Sequence, residues 1–143
     1  MADDPHSGAT TRFDAWVARG NEGFPGLVGL EAVEFRPNLA VLALDVSPRH
    51  LAPNGYLHGG AVTTLADSAC GYGCHLSLPE GATGFTTIEL KANFIASTTE
   101  GRLTCEARLV HDGRTTQVWD AVTRTPAERT LALFRATQLI LYP

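Results

Sequence analysis

The sequence predicts an α+β domain in which one long helix is set among antiparallel strands. Two observations carry this reading. The stretches flanking residues 61–78 contain runs that alternate apolar and polar side chains with the period of two of a half-buried strand, whereas residues 61–78 repeat at three and four. Short turn signals, Asp112-Gly113 above all, join neighbouring strand runs directly, as antiparallel pairing allows. The 143 residues are expected to form a single domain, 1–143, large enough to need neither a disulfide nor a structural metal.

Met1 to Thr11 carries Gly, Ser, Thr and Asp without periodicity and is expected to be a flexible leader. A short helix is expected from Arg12, with Thr11 as N-cap, Phe13, Trp16 and Val17 on one face and Gly20 as its stop. Leu27 to Phe35 and Leu39 to Val46 read as a hairpin turning at Arg36-Pro37-Asn38. In Phe85 to Ile95, Ile88, Leu90, Ala92 and Phe94 are expected on the core face, and Thr87, Glu89, Lys91 and Asn93 on the other. Arg102 to Val110 turns Leu103, Cys105, Ala107 and Leu109 inward. The Asp-Gly turn leads into Thr115 to Thr123, and Thr125-Pro126-Ala127-Glu128 leads into a last strand, Thr130 to Leu141. About five to six strands are expected.

The central helix, Ala61 to about Leu78, is the unusual element. Ala61, Val62, Leu65, Ala66, Ala69, Cys70 and Leu76 share one face, and Gly60, Thr63, Thr64, Asp67, Ser68, Gly71 and His75 the other. A solvated helix normally carries Glu and Lys on its polar stripe. Here the stripe is small, and between Arg49 and Glu80 the only Lys, Arg, Asp or Glu is Asp67. Only 18% of the chain is charged, below the usual quarter. Both faces of this helix are therefore expected to be covered, one by the sheet and the other by a second subunit or an adjoining layer.

Charge also excludes partners. A formal net charge of −4 without a basic cluster leaves nothing to track a phosphate backbone, so nucleic acid is not expected. No run approaches the ~20 apolar residues of a membrane span, the first residues are polar and acidic, and a cytoplasmic location is the expectation. Three cysteines are too few, and odd in number, for a disulfide framework.

The chemistry gathers where the helix begins, at Asn54-Gly55-Tyr56-Leu57-His58-Gly59-Gly60. Glycines at a helix start bring bare backbone close to a ligand, and the unpaired N–H groups there favour an oxygen that gains negative charge. A Gly-Gly pair can also be no more than a tight turn, and a lone helical Asp can simply face water. Together they form the two complementary parts of an acyl-transfer site, an oxyanion-binding helix start and a carboxylate. Seven residues separate Gly60 from Asp67, about 10 Å along the axis, so one carbonyl can hardly touch both in the same chain. If both act in one reaction, they belong to different subunits meeting about a two-fold axis.

The run His58-Gly59-Gly60-Ala61-Val62-Thr63-Thr64-Leu65-Ala66-Asp67 resembles the signature of hot-dog-fold thioesterases, especially the PaaI-like phenylacetate-degradation branch. Asn54-Gly55 and weaker similarity from about Val28 to Ile140 extend it. The resemblance implies a long central helix wrapped by an antiparallel sheet, a homodimer with sites at its interface, commonly a homotetramer as a dimer of dimers, and acyl-CoA thioester hydrolysis with neither metal nor cofactor. By position it makes Asp67 the carboxylate that activates water or attacks the thioester, and Gly59 the N–H donor to the carbonyl. It makes His58 and Asn54 supporting polar residues, and Thr87, beside Thr86, a strand hydroxyl that assists the water. Asp112-Gly113-Arg114-Thr115-Thr116 resembles a segment that meets coenzyme A, with Arg114 toward a phosphate and Gly60, Thr86, Gly113 and Thr115 as further substrate contacts. One departure is Ala96-Ser97, where many relatives carry Arg-Pro at a nucleotide contact.

Other chemistry is weaker. Cys70, Cys74 and His75 read better as helix packing than as metal ligands, and there is no HExxH, nucleophile elbow or phosphate loop. Gly71-Tyr72-Gly73 reads as a place of close packing. Phe24, Phe85, Phe94 and Trp119 are candidates for an aromatic acyl pocket or for the core. Two other functions fit the fold: a hot-dog hydratase or dehydratase, whose relatives place the acid-base pair elsewhere, and a non-catalytic acyl-CoA-binding module, against which the retained Asp67 argues.

Overall fold

The computed structural model describes residues 7–143, with side chains from Arg12 onward. Two helices, α1 (Ser7–Glu22) and α2 (Phe24–Val28), precede the hairpin of β1 (Leu30–Arg36) and β2 (Leu39–Val46). A 3₁₀ turn at Pro48–His50 leads to the long helix α3 (Gly59–Leu76). Strands β3 (Gly84–Phe94), β4 (Gly101–Asp112), β5 (Thr116–Arg124) and β6 (Thr130–Leu141) follow. All six strands form one antiparallel sheet in the order β1-β2-β4-β5-β6-β3, with α3 packed across it. This is the hot-dog arrangement.

The sheet's inner face and α3 make the core. Leu42 and Leu44 of β2, Leu103 and Cys105 of β4, Trp119 and Ala121 of β5 and Phe134 and Ala136 of β6 are buried against Leu65, Ala69, Cys70 and Cys74 of α3. The helix can sit this close because its sheet-facing positions are small. A Cβ on Gly73 would lie 2.6 Å from the fully buried Trp119 ring, and one on Gly71 would touch Phe85 at 3.5 Å. The Gly71-Tyr72-Gly73 run is thus a packing device.

Several boundaries differ from expectation. The helix expected from Arg12 already runs at Ser7, so Thr11 lies inside it rather than capping it, and it continues past Gly20 to Glu22. The rest of the expected leader, Met1 to His6, lies outside the described residues. Leu27 and Val28 belong to α2, which opens with Pro25 and closes at Gly29 in the left-handed region at φ +90°. The expected second cover of α3 comes partly from these helices, for Trp16 of α1 stacks on His75 with ring centroids 4.2 Å apart. The central helix begins two residues earlier than expected and ends at Leu76.

The strand β3 departs most instructively. Its pairing with β6 shifts register between Thr87 and Glu89, so Ile88 is an extra, bulged residue, 55% exposed rather than in the core. Thr87 stands opposite the buried Gln138, while Leu90, Ala92 and Phe94 stand opposite Ala136, Phe134 and Ala132 on the same side of the sheet. Because β3 is an edge strand, Leu90 and Phe94 are nevertheless 45% and 54% exposed there and not in the core as expected. An odd-numbered threonine and even-numbered apolar residues share a face only because of the bulge. Thr87 therefore points inward, not outward.

Gly73→Ala is expected to destabilise the fold by about 1–3 kcal/mol through the clash with Trp119, although alanine is otherwise the better helix former. Gly84→Ala, whose Cβ meets nothing within 4 Å, is the matched control. Urea unfolding of both variants measures the difference, and a Gly73→Ala protein as stable as the wild type would contradict the packing account.

Candidate active site

The start of α3 is built by His58. Its backbone is extended, at φ −68° and ψ 132°, and its Nδ1 accepts the Gly60 N–H at 2.8 Å, so the ring is the helix N-cap and its proton sits on Nε2. The carbonyl of His58 accepts the Ala61 N–H at 2.9 Å. The cap thus occupies Gly60 and leaves the Gly59 N–H without a hydrogen-bond partner among the described residues. That free donor lies at the positive end of an 18-residue helix. The Phe94 ring covers Gly59 so closely that a Cβ there would approach it to 3.1 Å.

His58 is itself held by a residue that the sequence reading passed over. His50 is buried; its Nδ1 accepts the Ser47 N–H at 3.0 Å, its Nε2 donates to the Val28 carbonyl at 2.6 Å, and its carbonyl accepts the His58 N–H at 2.9 Å. It ties the end of α2 and the 3₁₀ turn to the residue that caps α3.

Two turns into the helix, Asp67 is half-buried and faces Thr87, whose Oγ1 lies 3.4 Å from Asp67 Oδ1. Burial raises its pKa above the ordinary 3.8, and the Thr87 hydroxyl partly offsets that rise. A carboxylate whose pKa is raised by desolvation is a stronger base than a solvated one. The bulge at Ile88 is what aims Thr87 at it.

The helix α3 and the strand β3 run in opposite directions, since Phe94 meets Gly59, Thr87 meets Asp67 and Phe85 meets Gly71. The expected site residues therefore fall at two separate places along α3 and β3. His58, Gly59 and Gly60 are at the Phe94 end. Asp67 and Thr87 are at the other, about 10 Å of helix away. The turn of Gly113, Arg114 and Thr115 belongs to the Asp67 end as well, because β5, β6 and β3 register Thr116 with Leu139 and Leu139 with Thr86. There Arg114 stacks its guanidinium over Tyr142, 5.3 Å from the ring centroid, and its carbonyl accepts the Tyr142 hydroxyl at 2.6 Å. Asn54 is exposed, and its Oδ1 accepts the Tyr56 N–H at 3.1 Å to shape its own turn.

The aromatic candidates divide too. Trp119 is core, with Nε1 donating to Gln117 at 3.0 Å, and Phe85 packs on Gly71 and Trp16. Phe94 lies on Gly59. Phe24, 61% exposed, edges a groove of about 330 Å³ that Val28, Leu51, His58, Ala61 and Thr64 also line. Cys70 and Cys74 are buried in the core, where burial pushes the Cys74 thiol to about 12 and the Cys70 thiol well up, so neither is a ready thiolate.

The family model described as "Thioesterase superfamily" matches residues 54–132, which contain the helix start, Asp67 and Thr87. The chain belongs to the thioesterase superfamily. A 1,4-dihydroxy-2-naphthoyl-CoA hydrolase of Listeria monocytogenes is 34% identical to this thioesterase over 80% of its chain and 93% of the relative. The acyl-coenzyme A thioesterase PaaI of Escherichia coli is 28% identical over 80% of each. Among solved structures, a mutant of thioesterase PA1618 from Pseudomonas aeruginosa superposes with a TM-score of 0.84 at 28% identity, covering 90% of this chain and 93% of that one. The Escherichia coli PaaI protein superposes at 0.79 and 25% identity, over 89% and 90%. No helix among the described residues of this thioesterase is long and apolar enough to cross a membrane.

The raised pKa of Asp67 makes its ionisation a cost to folding. The protonated form is the one the fold favours, so this contribution to stability is intact below pH 3.8 and is lost as pH rises through the raised native value. Asp67→Asn is accordingly expected to melt above wild type at pH 7, with the gap narrowing as the pH falls through the raised native value and closed by pH 3.8. Thermal melts across that range measure it, and a variant less stable than wild type at pH 7 would contradict the assignment.

Proposed function

We propose that this thioesterase is a cytoplasmic enzyme that hydrolyses the thioester of a small aryl-, phenylacetyl- or medium-chain acyl-CoA. The observation that carries the reading is Asp67, the one charged side chain between Arg49 and Glu80, half-buried with a raised pKa and facing Thr87. Asp67 takes the proton of a water that attacks the thioester carbonyl carbon, with Thr87 beside it. The Gly59 N–H and the helix dipole receive the charge that develops on the carbonyl oxygen. Collapse of the tetrahedral intermediate breaks the C–S bond, and the departing thiolate of coenzyme A takes up the proton. Asp67 acting as nucleophile is the variant of this scheme, and single turnover in ¹⁸O-labelled water separates the two, because only direct attack leaves label in Asp67.

The reading calls for a second copy of the chain. The outer edge of β3 is unpaired in the sheet, and Ile88, Leu90, Phe94 and Ile95 along it are exposed. Pairing two such edges about a two-fold axis sets two α3 helices side by side in opposite directions, so that Asp67 of one protomer meets the partner's Gly59. That homodimer supplies both halves of the site, and a dimer of dimers is the assembly the family resemblance implies. The groove beside Phe24 opens at His58 and has the volume of a small-ligand pocket, which suits a compact acyl group. Arg114, Thr115, Gly113 and Thr86 at the Asp67 end are the contacts proposed for coenzyme A, with Arg114 toward a phosphate.

Incubation with phenylacetyl-, hydroxybenzoyl- and straight-chain acyl-CoAs, following thiol release and enoyl absorbance separately, is expected to show thiol release alone. Reversible hydration, or binding without turnover, would contradict it. Asp67→Asn is expected to lower kcat by about 10²-fold or more with the fold retained. Gly59→Pro removes the free N–H at the first helical position, behind a residue already extended, while adding ring atoms beside Phe94, and is expected to cost a similar factor. Gly59→Ala keeps the donor and serves as the control for the contact with Phe94.

A further inference from the structure

Gln138 of β6 is fully buried at a position where the inward residues of its strand are otherwise apolar: Ala132, Phe134, Ala136 and Ile140. It stands in register with Gln117 of β5 on one side and Thr87 of β3 on the other. Gln117 is committed elsewhere, with its Nε2 donating to the Ser77 carbonyl at 2.9 Å and to Asp112 at 3.1 Å, and its Oε1 accepting from Trp119. Among the described residues the Gln138 side chain has one hydrogen-bond partner, Thr87, whose Oγ1 lies 2.8 Å from Gln138 Oε1.

That contact leaves two problems. Thr87 has a single hydroxyl proton and faces two oxygens, Gln138 Oε1 and Asp67 Oδ1, while Gln138 Nε2 is buried with no hydrogen-bond partner. A buried NH₂ without an acceptor is the costlier group to leave unpaired, and the two ends of a carboxamide have nearly the same shape. Turning the amide by 180° resolves the conflict in place. Nε2 then donates to Thr87 Oγ1, and the hydroxyl proton is left for Asp67 Oδ1.

We propose that Gln138 is a positioning residue for this site: it donates to Thr87 and so commits the Thr87 proton to Asp67. The proposal rests on the reading of Asp67 as the reactive carboxylate. It extends the site by one residue that touches neither substrate nor Asp67, through a chain of two hydrogen bonds crossing from the sheet to the helix. A donor behind the hydroxyl polarises it and strengthens its bond to a carboxylate. Other ionisable groups on the elements packed around Asp67 do not compete. Cys70 on its own helix and Cys105 on β4 are neutral thiols, raised by burial. Asp120 of β5 pairs with Arg135 of β6 on the outer face, where Glu89 and Lys91 of β3 are exposed, and Arg12 and Arg19 of α1 act on His75 instead.

The test is the titration of the Asp67 carboxyl carbon by NMR in wild type, Gln138→Met, Thr87→Val and the double variant, together with the acid limb of kcat/KM. Thr87→Val is expected to move the Asp67 midpoint to higher pH, Gln138→Met to move it the same way by less, and the double variant to match Thr87→Val. Gln138→Met is also expected to lower kcat/KM three- to tenfold in the wild-type background and not at all in the Thr87→Val background. A midpoint that is unchanged or falls in Gln138→Met, or an equal loss of kcat/KM in both backgrounds, would overturn the proposal. If the midpoints move as expected while kcat/KM does not, the positioning stands and the catalytic reading of Asp67 fails. Should Gln138→Met not fold, the side-chain amide protons of wild-type Gln138 give the answer: they are expected to shift on Thr87→Val, and an unchanged signal would overturn the proposal.

Discussion

Everything in this molecule depends on how closely α3 lies against the sheet. Gly73 leaves room for the Trp119 ring, and Gly71 for Phe85, so a helix of small residues sinks until its sheet-facing side is fully buried. A helix seated this deeply cannot carry the charges of a solvated one, because each would be stranded in a low-dielectric interior. The near-neutral stretch from Arg49 to Glu80 is the sequence record of that constraint. Asp67 is tolerated within it because it lies on the margin of the buried face, beside an edge strand that offers a hydroxyl.

The same constraint separates the two halves of the proposed site. A straight helix fixes Gly59 and Asp67 about 12 Å apart along its axis, and the antiparallel course of β3 keeps Phe94 with the first and Thr87 with the second. Neither half can be moved toward the other without unwinding the helix that holds the core. The bulge at Ile88 adjusts what rigid elements cannot, rotating Thr87 inward while Leu90, Ala92 and Phe94 keep their face. Rigid supports of this kind suit the roles proposed for Gly59 and Asp67, since a donor and a base held in place need little reorganisation.

Much of this was legible in the sequence where periodicity is undisturbed. Thr130 to Leu141 forms a strand with the expected bounds, and Leu103, Cys105 and Ala107 face the core as their alternation implies. The motif from His58 to Asp67 was readable because a capped glycine start and a lone carboxylate are unusual together. What escaped was whatever breaks a period. The bulge hid the direction of Thr87, and the apolar Leu27-Val28 looked like strand although Pro25 and Gly29 bracket a short helix. His50 carries no periodic signal, since its partners lie 22 and 3 residues away. Gln138 did carry one, a glutamine in the inward register of an apolar strand, and so did Gln117.

The central claim is that one working site takes its base from one chain and its N–H donor from another. Mixing Asp67→Asn subunits with Gly59→Pro subunits tests it most directly, with dimer exchange verified by mass. If the halves meet across the interface, half of the dimers are mixed and each holds one intact site, so activity is expected to return to about a quarter of wild type. Verified mixed dimers that stay as inactive as their parents would contradict the account.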